Sequence, residues 1–293
     1  MLAARSSALA GLTVCVALWG MVFVAVHELL PVMGPVQMVT LRFLLASVLF
    51  AALMGARTEW RPRFTRREWL LCIAAGVLAV PGTQLAVVEG QRYLSPSIAS
   101  LIVTTSPVVA AGLGAAFLSE RVTRRNLAGF AIALAGVAMI VVLGAGTGAD
   151  AGASDPLRAS ITVIGPIAWA MYTLLVKPVS DVHPAVPVVG VAVIAGTLSL
   201  APAFGHALTG LGELSPATWG WMLYMVLGGT LAPYLLWSAS LKRLDVSRTA
   251  SFMYLVPVFA TTWSILLLGS ALTAITVAGG AVVLGGVVLT QRA

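Results

Sequence analysis

Residues 94–137, LSPSIASLIVTTSPVVAAGLGAAFLSERVTRRNLAGFAIALAGV, and residues 244–287, LDVSRTASFMYLVPVFATTWSILLLGSALTAITVAGGAVVLGGV, stand in one register at an offset of 150. Leu94 pairs with Leu244, Ser97 with Ser247, Pro107 with Pro257, Val108 with Val258 and Leu118 with Leu268. The match continues through Thr123 and Thr273, Gly129 and Gly279, and Gly136 and Gly286, giving 13 identities in 44 positions. Extended toward the N-terminus without a gap, the same offset pairs Trp19 with Trp169, Met21 with Met171 and Trp69 with Trp219. Alanine and glycine bias produces a few coincidences, but it does not align tryptophans and prolines in one register. The chain reads as two copies of one unit.

Composition says where such a unit lives. The 293 residues are 59% apolar and 9% charged, with a mean hydropathy of +1.00. A soluble domain carries about 25% charged residues, so this chain lacks the polar surface to stay in water. Its 29 glycines and 15 prolines suit membrane helices that pack closely or bend. A bilayer core of about 30 Å needs roughly 20 apolar helical residues. Runs of that kind predict ten helices, at 7–27, 35–54, 69–88, 97–118, 127–144, 158–177, 185–204, 218–239, 248–267 and 274–290. The first run follows Arg5 as a signal peptide's core would. Its length, its lack of a convincing cleavage site and its match in the second half make it a mature helix.

Lys and Arg set the orientation. With the N-terminus in the cytoplasm, the inner side collects 14 of them: Arg5, Arg57, Arg61, Arg63, Arg66, Arg67, Arg121, Arg124, Arg125, Lys177, Lys242, Arg243, Arg248 and Arg292. Only Arg92 and Arg158 fall outside, and Arg42 lies within helix 2. Both termini are therefore expected inside. Residues 146–157 read as a flexible external linker between a first five-helix unit, 1–145, and a second, 158–293. Five spans per unit insert the second upside down relative to the first. Inverted repeats of this kind are a signature of secondary transporters, with the substrate site near the midplane between the halves.

Other function classes fit poorly. The net charge of +7 is spread over gaps between apolar runs, not gathered in a stripe, so no nucleic-acid partner is expected. Cys15 and Cys72 both sit inside apolar runs and read as small hydrophobes, and no metal or other cofactor is expected. An intramembrane serine hydrolase needs a buried Ser–His pair, but His27, His183 and His206 lie at helix ends or in loops. No metal-ligand spacing and no phosphate-binding lysine loop occurs, so the chain reads as no enzyme.

Tyr93-Leu94-Ser95-Pro96-Ser97-Ile98-Ala99-Ser100-Leu101, then Pro107 and Glu120-Arg121, resembles the fourth and fifth helices of the drug/metabolite transporter superfamily. Leu241-Lys242-Arg243-Leu244, Ala250-Ser251, Tyr254-Leu255-Val256-Pro257 and Phe259-Ala260 look like the family's second copy. Trp19-Gly20 matches its first-helix pattern. The resemblance is to the ten-helix EamA type, covers essentially the whole chain, and is nearest to the aromatic amino acid exporters. Two positions depart from it. His27 stands where the family often has Lys, although its repeat partner is Lys177. Ser270 stands where an acid is expected opposite Glu120, so a strict two-fold ionic arrangement is absent. The resemblance implies a bacterial inner-membrane exporter of small metabolites that works as a monomer.

Helix breaks at matching positions in the two halves point to the binding site. Helix 3 carries Pro81-Gly82-Thr83-Gln84, and helix 8 carries Gly228-Gly229 and Pro233, the repeat equivalent of Thr83. Proline removes a backbone donor and leaves carbonyls free to face a cavity. On helix 4, Ser97, Ser100, Thr104 and Pro107 recur at helical spacing, as do Ser247, Ala250, Tyr254 and Pro257 on helix 9, with Ser251 beside them. These residues also suit plain close packing. Trp19, Trp169, Tyr172, Tyr234 and Trp237 lie near mid-helix, where rings either stack on a substrate or fill the core; Trp60, Trp69, Trp219 and Trp221 fit an interfacial belt. Arg42 is the deepest ionisable residue, suited to an anionic group or a helix end. Glu89 beside Arg92 reads as a local ion pair, and Glu28 and Glu120 lie at helix ends.

The expected cavity is bounded by helices 3, 4, 6, 8 and 9. It offers hydroxyls, the Gln84 amide, aromatic faces and free carbonyls, with no fixed charge at its centre. That lining suits an amino acid with an apolar or aromatic side chain, moved by alternating access without an obligatory proton relay. A proton-coupled exporter of other metabolites or drugs is the alternative.

Overall fold

A computed structural model describes residues 2–93, 102–117, 122–139, 160–268 and 274–291. The expected linker at 146–157 lies outside them. The described residues form helical rods and turns, with no strand among them. In chain order the rods are α1, Leu2–Leu29; α2, Pro35–Ala56; α3, Arg66–Gly90; α4, Ser106–Phe117; and α5, Arg124–Ala138. They continue with α6, Ser160–Val182; α7, Ala185–Leu198; α8, Pro216–Leu241; α9, Val246–Leu267; and α10, Ala274–Gln291. Among the described residues, six of these are long and apolar enough to cross a bilayer, or seven if α7 and the bent segment after it count as one. The expected spans at 97–118 and 127–144 run beyond the described residues.

Local chemistry fixes where rods begin. Pro35 opens α2 with its φ already set. Thr65 caps α3 in a reciprocal box, with Glu68 N donating to Thr65 Oγ1 at 3.3 Å and Thr65 N donating to Glu68 Oε2 at 2.7 Å. Its repeat equivalent, Ser215, caps α8 by accepting from Thr218 N at 3.1 Å, with Pro216 following. Thr123 and Asn126 make the same box at the start of α5. Helix 7 departs from expectation. It was predicted to run to 204 but stops at Leu198, and the chain turns by 62° into Ala201–Ala207. Pro202 lies in that new turn, where it cannot donate to the preceding helix and bars its continuation.

The solvation pattern is that of a membrane protein. Val48, Leu70, Val182 and Leu266 are exposed, while Thr40, Arg42, Thr173, Thr197, Ser238 and Thr249 are buried. Polar groups inside and aliphatic ones outside make sense where the surroundings are hydrocarbon.

Contacts between rods come in pairs related by the offset of 150. α1 packs on α8 and α9, and α6 packs on α3 and α4. The axis relating the two sets passes where repeat-equivalent residues touch each other: Trp19 on Trp169 at 5.0 Å between ring centroids, Ser47 Oγ on Thr197 Oγ1 at 2.9 Å, and Gln84 Nε2 toward Tyr234 Oη at 3.5 Å. At the far end α5 crosses α10 on four glycines. A Cβ on Gly129 would sit 2.8 Å from the Gly286 carbonyl oxygen, one on Gly286 2.6 Å from that of Gly129, and one on Gly136 2.8 Å from that of Gly279. Backbones this close tolerate hydrogen only, the small-residue contact that membrane helices use.

One pair of equivalent interfaces is unlike its partner. Between α3 and α7, Gly76 faces Ala192 and Gly196 with backbone against backbone. The equivalent positions between α8 and α2 are Val226, Arg42 and Ala46, and there the backbones are bridged by a guanidinium.

Candidate functional site

Where the sequence predicted broken helices, the rods continue but widen. Leu78–Leu85 in α3 and Leu227–Leu231 in α8 are π turns, a wider winding often found at functional sites. Pro81, Gly82, Thr83 and Gln84 lie in the first. Gly228 and Gly229 lie in the second, with Pro233 in the helical turn after it. A π turn accepts a proline because hydrogen bonds near it already skip to the next register. Side chains satisfy carbonyls in and beside both turns. Thr83 Oγ1 donates to Leu78 O at 3.0 Å and Thr230 Oγ1 to Met225 O at 3.0 Å, each five residues back. The Gly229 carbonyl, turned out of its own rod, accepts from Trp19 Nε1 at 3.2 Å and from Arg42 Nη2 at 2.7 Å.

Arg42 is wholly buried. Besides Gly229 O, its Nε donates to Thr230 Oγ1 at 2.7 Å and its Nη1 to Gln84 Oε1 at 3.0 Å. The guanidinium thus ties α2 to both π turns. This corrects the expectation of a cavity without fixed charge. The depth of Arg42 was legible in the sequence, but the rotation of α2 that aims it inward was not.

Above this floor is a cavity with about 670 Å³ of empty space, its mouth included. It rises along α1 through Trp19, Val22, Phe23 and Val26, which share one helical face, and along α3 from Thr83 and Gln84 to Gln91. Val103 of the segment before α4, Trp169 of α6 and Met253 of α9 add to the wall, with Arg42 from α2. The bounding set is therefore α1, α2, α3, α6 and α9 with the approach to α4. α8, expected among the walls, contributes none of the lining and instead anchors Arg42 from behind.

The expected site residues divide accordingly. Thr83, Gln84 and Trp169 line the cavity. Tyr172, Tyr234 and Trp237 are fully buried and form an aromatic floor with Trp19 and Trp169. Trp169 stacks on Tyr172 at 4.8 Å and meets Trp237 at 5.4 Å and Tyr234 at 5.5 Å. Thr104 is buried beside Val103 and is not in the lining. Tyr254 was expected on one helical face with Ser247, Ala250 and Pro257, and Ser251 beside them, but Ser251–Leu255 winds as a 3-10 helix. Three residues per turn instead of 3.6 rotate that face. Tyr254 meets Phe130 at 6.3 Å, Ser251 Oγ donates to Arg248 O at 2.8 Å, and Met253 takes the cavity position. Pro257 follows this turn and Pro107 is the second residue of α4, both buried. Ser100 lies outside the described residues. The sequence reading missed Val22, Phe23, Val26 and Gln91; the spacing of the first three from Trp19 was the available signal. Glu89 Oε1 does lie 3.1 Å from Arg92 Nη1.

The sequence profile of the EamA-like transporter family matches this chain twice, over residues 6–142 and 159–292. The chain belongs to that family. A probable terminal-alkyne amino-acid exporter of Streptantibioticus cattleyicolor is 27% identical to this EamA-like transporter over 287 residues, 98% of this chain and 94% of that one. A probable amino-acid metabolite efflux pump of Salmonella typhimurium is 27% identical over 280 residues, 92% and 90% of the two chains. A solved crystal structure shares the fold with a TM-score of 0.79 at 20% identity, covering 98% of this chain and 96% of that one. This EamA-like protein is a multi-pass membrane transporter of small molecules and not an enzyme.

Proposed function

We propose that this transporter exports amino acids with apolar or aromatic side chains across the inner membrane of a bacterium, by alternating access through the cavity above Arg42. The observation that carries this reading is the composition of the wall. Trp19, Phe23, Trp169 and Met253 offer an aromatic and thioether surface beside one small polar cluster at Gln84 and Arg42. Binding sites for small molecules combine apolar walls with a few placed polar groups in this way. The relatives described as amino-acid exporters support the same class. Among the described residues no carboxylate lines the cavity, which supports facilitated diffusion or exchange over a proton relay. In the test, purified protein in liposomes takes up labelled phenylalanine, methionine and valine, and glutamate far more slowly. Uptake of sugar phosphates in place of phenylalanine and methionine would refute the reading. Uptake that stops when a proton gradient is collapsed would refute the uncoupled mechanism.

The frame for this activity is ten crossings in two inverted units, 1–145 and 158–293, joined by an external linker at 146–157, with both termini cytoplasmic. The paired rod contacts at an offset of 150 and the double family match support it. In this frame the cavity faces outward, since it rises toward Val26 and Gln91, near the outer ends of α1 and α3. The aromatic floor then closes the inner side. The expected labelling result follows: single cysteines at 57–67 and 121–125 are protected from an impermeant thiol reagent added outside, and one at Ala151 is labelled. Outside labelling at 57–67 would overturn the orientation and the inversion together.

A further inference from the structure

We propose that Arg42 is the seat of a substrate carboxylate: a single-anion site, built into the cavity floor, that admits monocarboxylates and turns away amines without one. This deepens the amino-acid reading above and rests on it. Charge bookkeeping carries the inference. Arg42 is wholly buried, and a guanidinium stays protonated in proteins. Placing such a charge among helices in a bilayer is costly unless it finds a partner or a polar cavity. Its hydrogen-bond partners are all neutral: the Thr230 hydroxyl, the Gln84 amide oxygen and the Gly229 carbonyl. The Phe43 ring lies 5.1 Å from Cζ. Among the described residues no Asp or Glu pairs with it.

The hydrogen-bond count agrees. A guanidinium has five N–H donors; the three bonds above leave one on Nη1 and one on Nη2, and Arg42 is one of the residues that line the cavity. The partners also hold the group still. Gly229 matters here, because a Cβ at that position would sit 3.1 Å from Arg42 Nη2. A fixed, planar, singly charged fork is what carboxylate recognition uses. The repeat equivalent of Arg42 is Ala192, so the second half supplies no matching cation, and one charge calls for one anionic group. Trp19 and Trp169 in the same wall would meet the apolar remainder of the ligand.

The test uses 3-phenylpropionate, which has the carboxylate and ring but no ammonium, and phenethylamine, which has the ring and ammonium but no carboxylate. Binding to the purified full chain is read from tryptophan fluorescence, and transport of phenylalanine is measured in liposomes alongside. The expected result is saturable binding of 3-phenylpropionate to the unaltered protein and none of phenethylamine. Arg42→Gln should weaken 3-phenylpropionate about tenfold or more, as loss of a charge-assisted bond does, and Arg42→Lys should weaken it less. The comparison of the two ligands needs no variant, so misfolding of Arg42→Gln leaves the question decided. Equal binding of both ligands, or failure of 3-phenylpropionate to bind the unaltered protein, overturns the site even if phenylalanine is transported. Binding of 3-phenylpropionate that depends on Arg42, with no amino acid transported, upholds the site and sinks the amino-acid reading.

Discussion

Gly76→Leu is expected to abolish recovery of folded protein, with solubilised material running as aggregate on size exclusion while Gly55→Leu runs as the unaltered chain does. A Cβ on Gly76 would fall inside contact distance of the Ala192 carbonyl oxygen, with the Gly196 nitrogen 2.9 Å away. The obstacle is backbone, which cannot rotate aside as a side chain can. Overpacking a core costs about 1–3 kcal/mol where neighbours can shift, and here the shift required is separation of α3 from α7. Gly55 has nothing within 4 Å of a built Cβ, so it controls for the introduction of leucine itself. Full recovery of a folded, monodisperse Gly76→Leu protein would show that the α3–α7 contact does not hold the two halves together.

Trp169→Ala is expected to lower phenylalanine transport about tenfold relative to valine transport, measured as initial rates in liposomes and normalised to folded protein. The Trp169 ring touches Trp19, Tyr172, Tyr234 and Trp237 and also lines the cavity. Aromatic pairs contribute roughly 0.5–1.5 kcal/mol each beyond their buried area. Losing one such contact to the substrate therefore accounts for up to about a tenfold preference. Removing the ring also leaves a void in the floor, so some loss of yield accompanies it. Trp169→Phe keeps a ring in place and should restore most of the preference. Equal loss of phenylalanine and valine transport, in proportion to lost protein, would mean that the ring only fills the core.

Much of the fold was legible because it rests on signals that survive in a single sequence. The glycines at 129, 136, 279 and 286, aligned in the repeat, are the residues on which α5 crosses α10. The caps at Thr65 and Ser215 occupy the same position in the two repeats, but they were not among the expectations drawn from the sequence. The site was legible only in part. Pro81 and the Gly228-Gly229 pair marked the right turns, but the extra residue of a π turn has no composition of its own, so widening was read as breakage. Tyr254 lies away from the cavity lining for a related reason: the 3-10 winding at Ser251–Leu255 depends on packing and not on residue type. Arg42 was found as an ionisable residue, yet which way it pointed depended on how α2 sits against α3 and α8.

The mismatch between the two equivalent interfaces has a thermodynamic consequence. Two identical halves would give an alternating carrier two end states of equal free energy, each the image of the other. With glycine and alanine sealing α3 on α7, and an arginine standing between α8 and α2, that degeneracy is lost. In the proposed cycle the unloaded protein then spends most of its time in one orientation, by a factor of ten for every 1.4 kcal/mol of difference. Half-saturating concentrations measured from the two faces of the bilayer will differ accordingly, while the equilibrium concentrations that a passive carrier must respect remain equal. In that proposed cycle, the divergence between Arg42 and Ala192 sets which side the unloaded protein rests on.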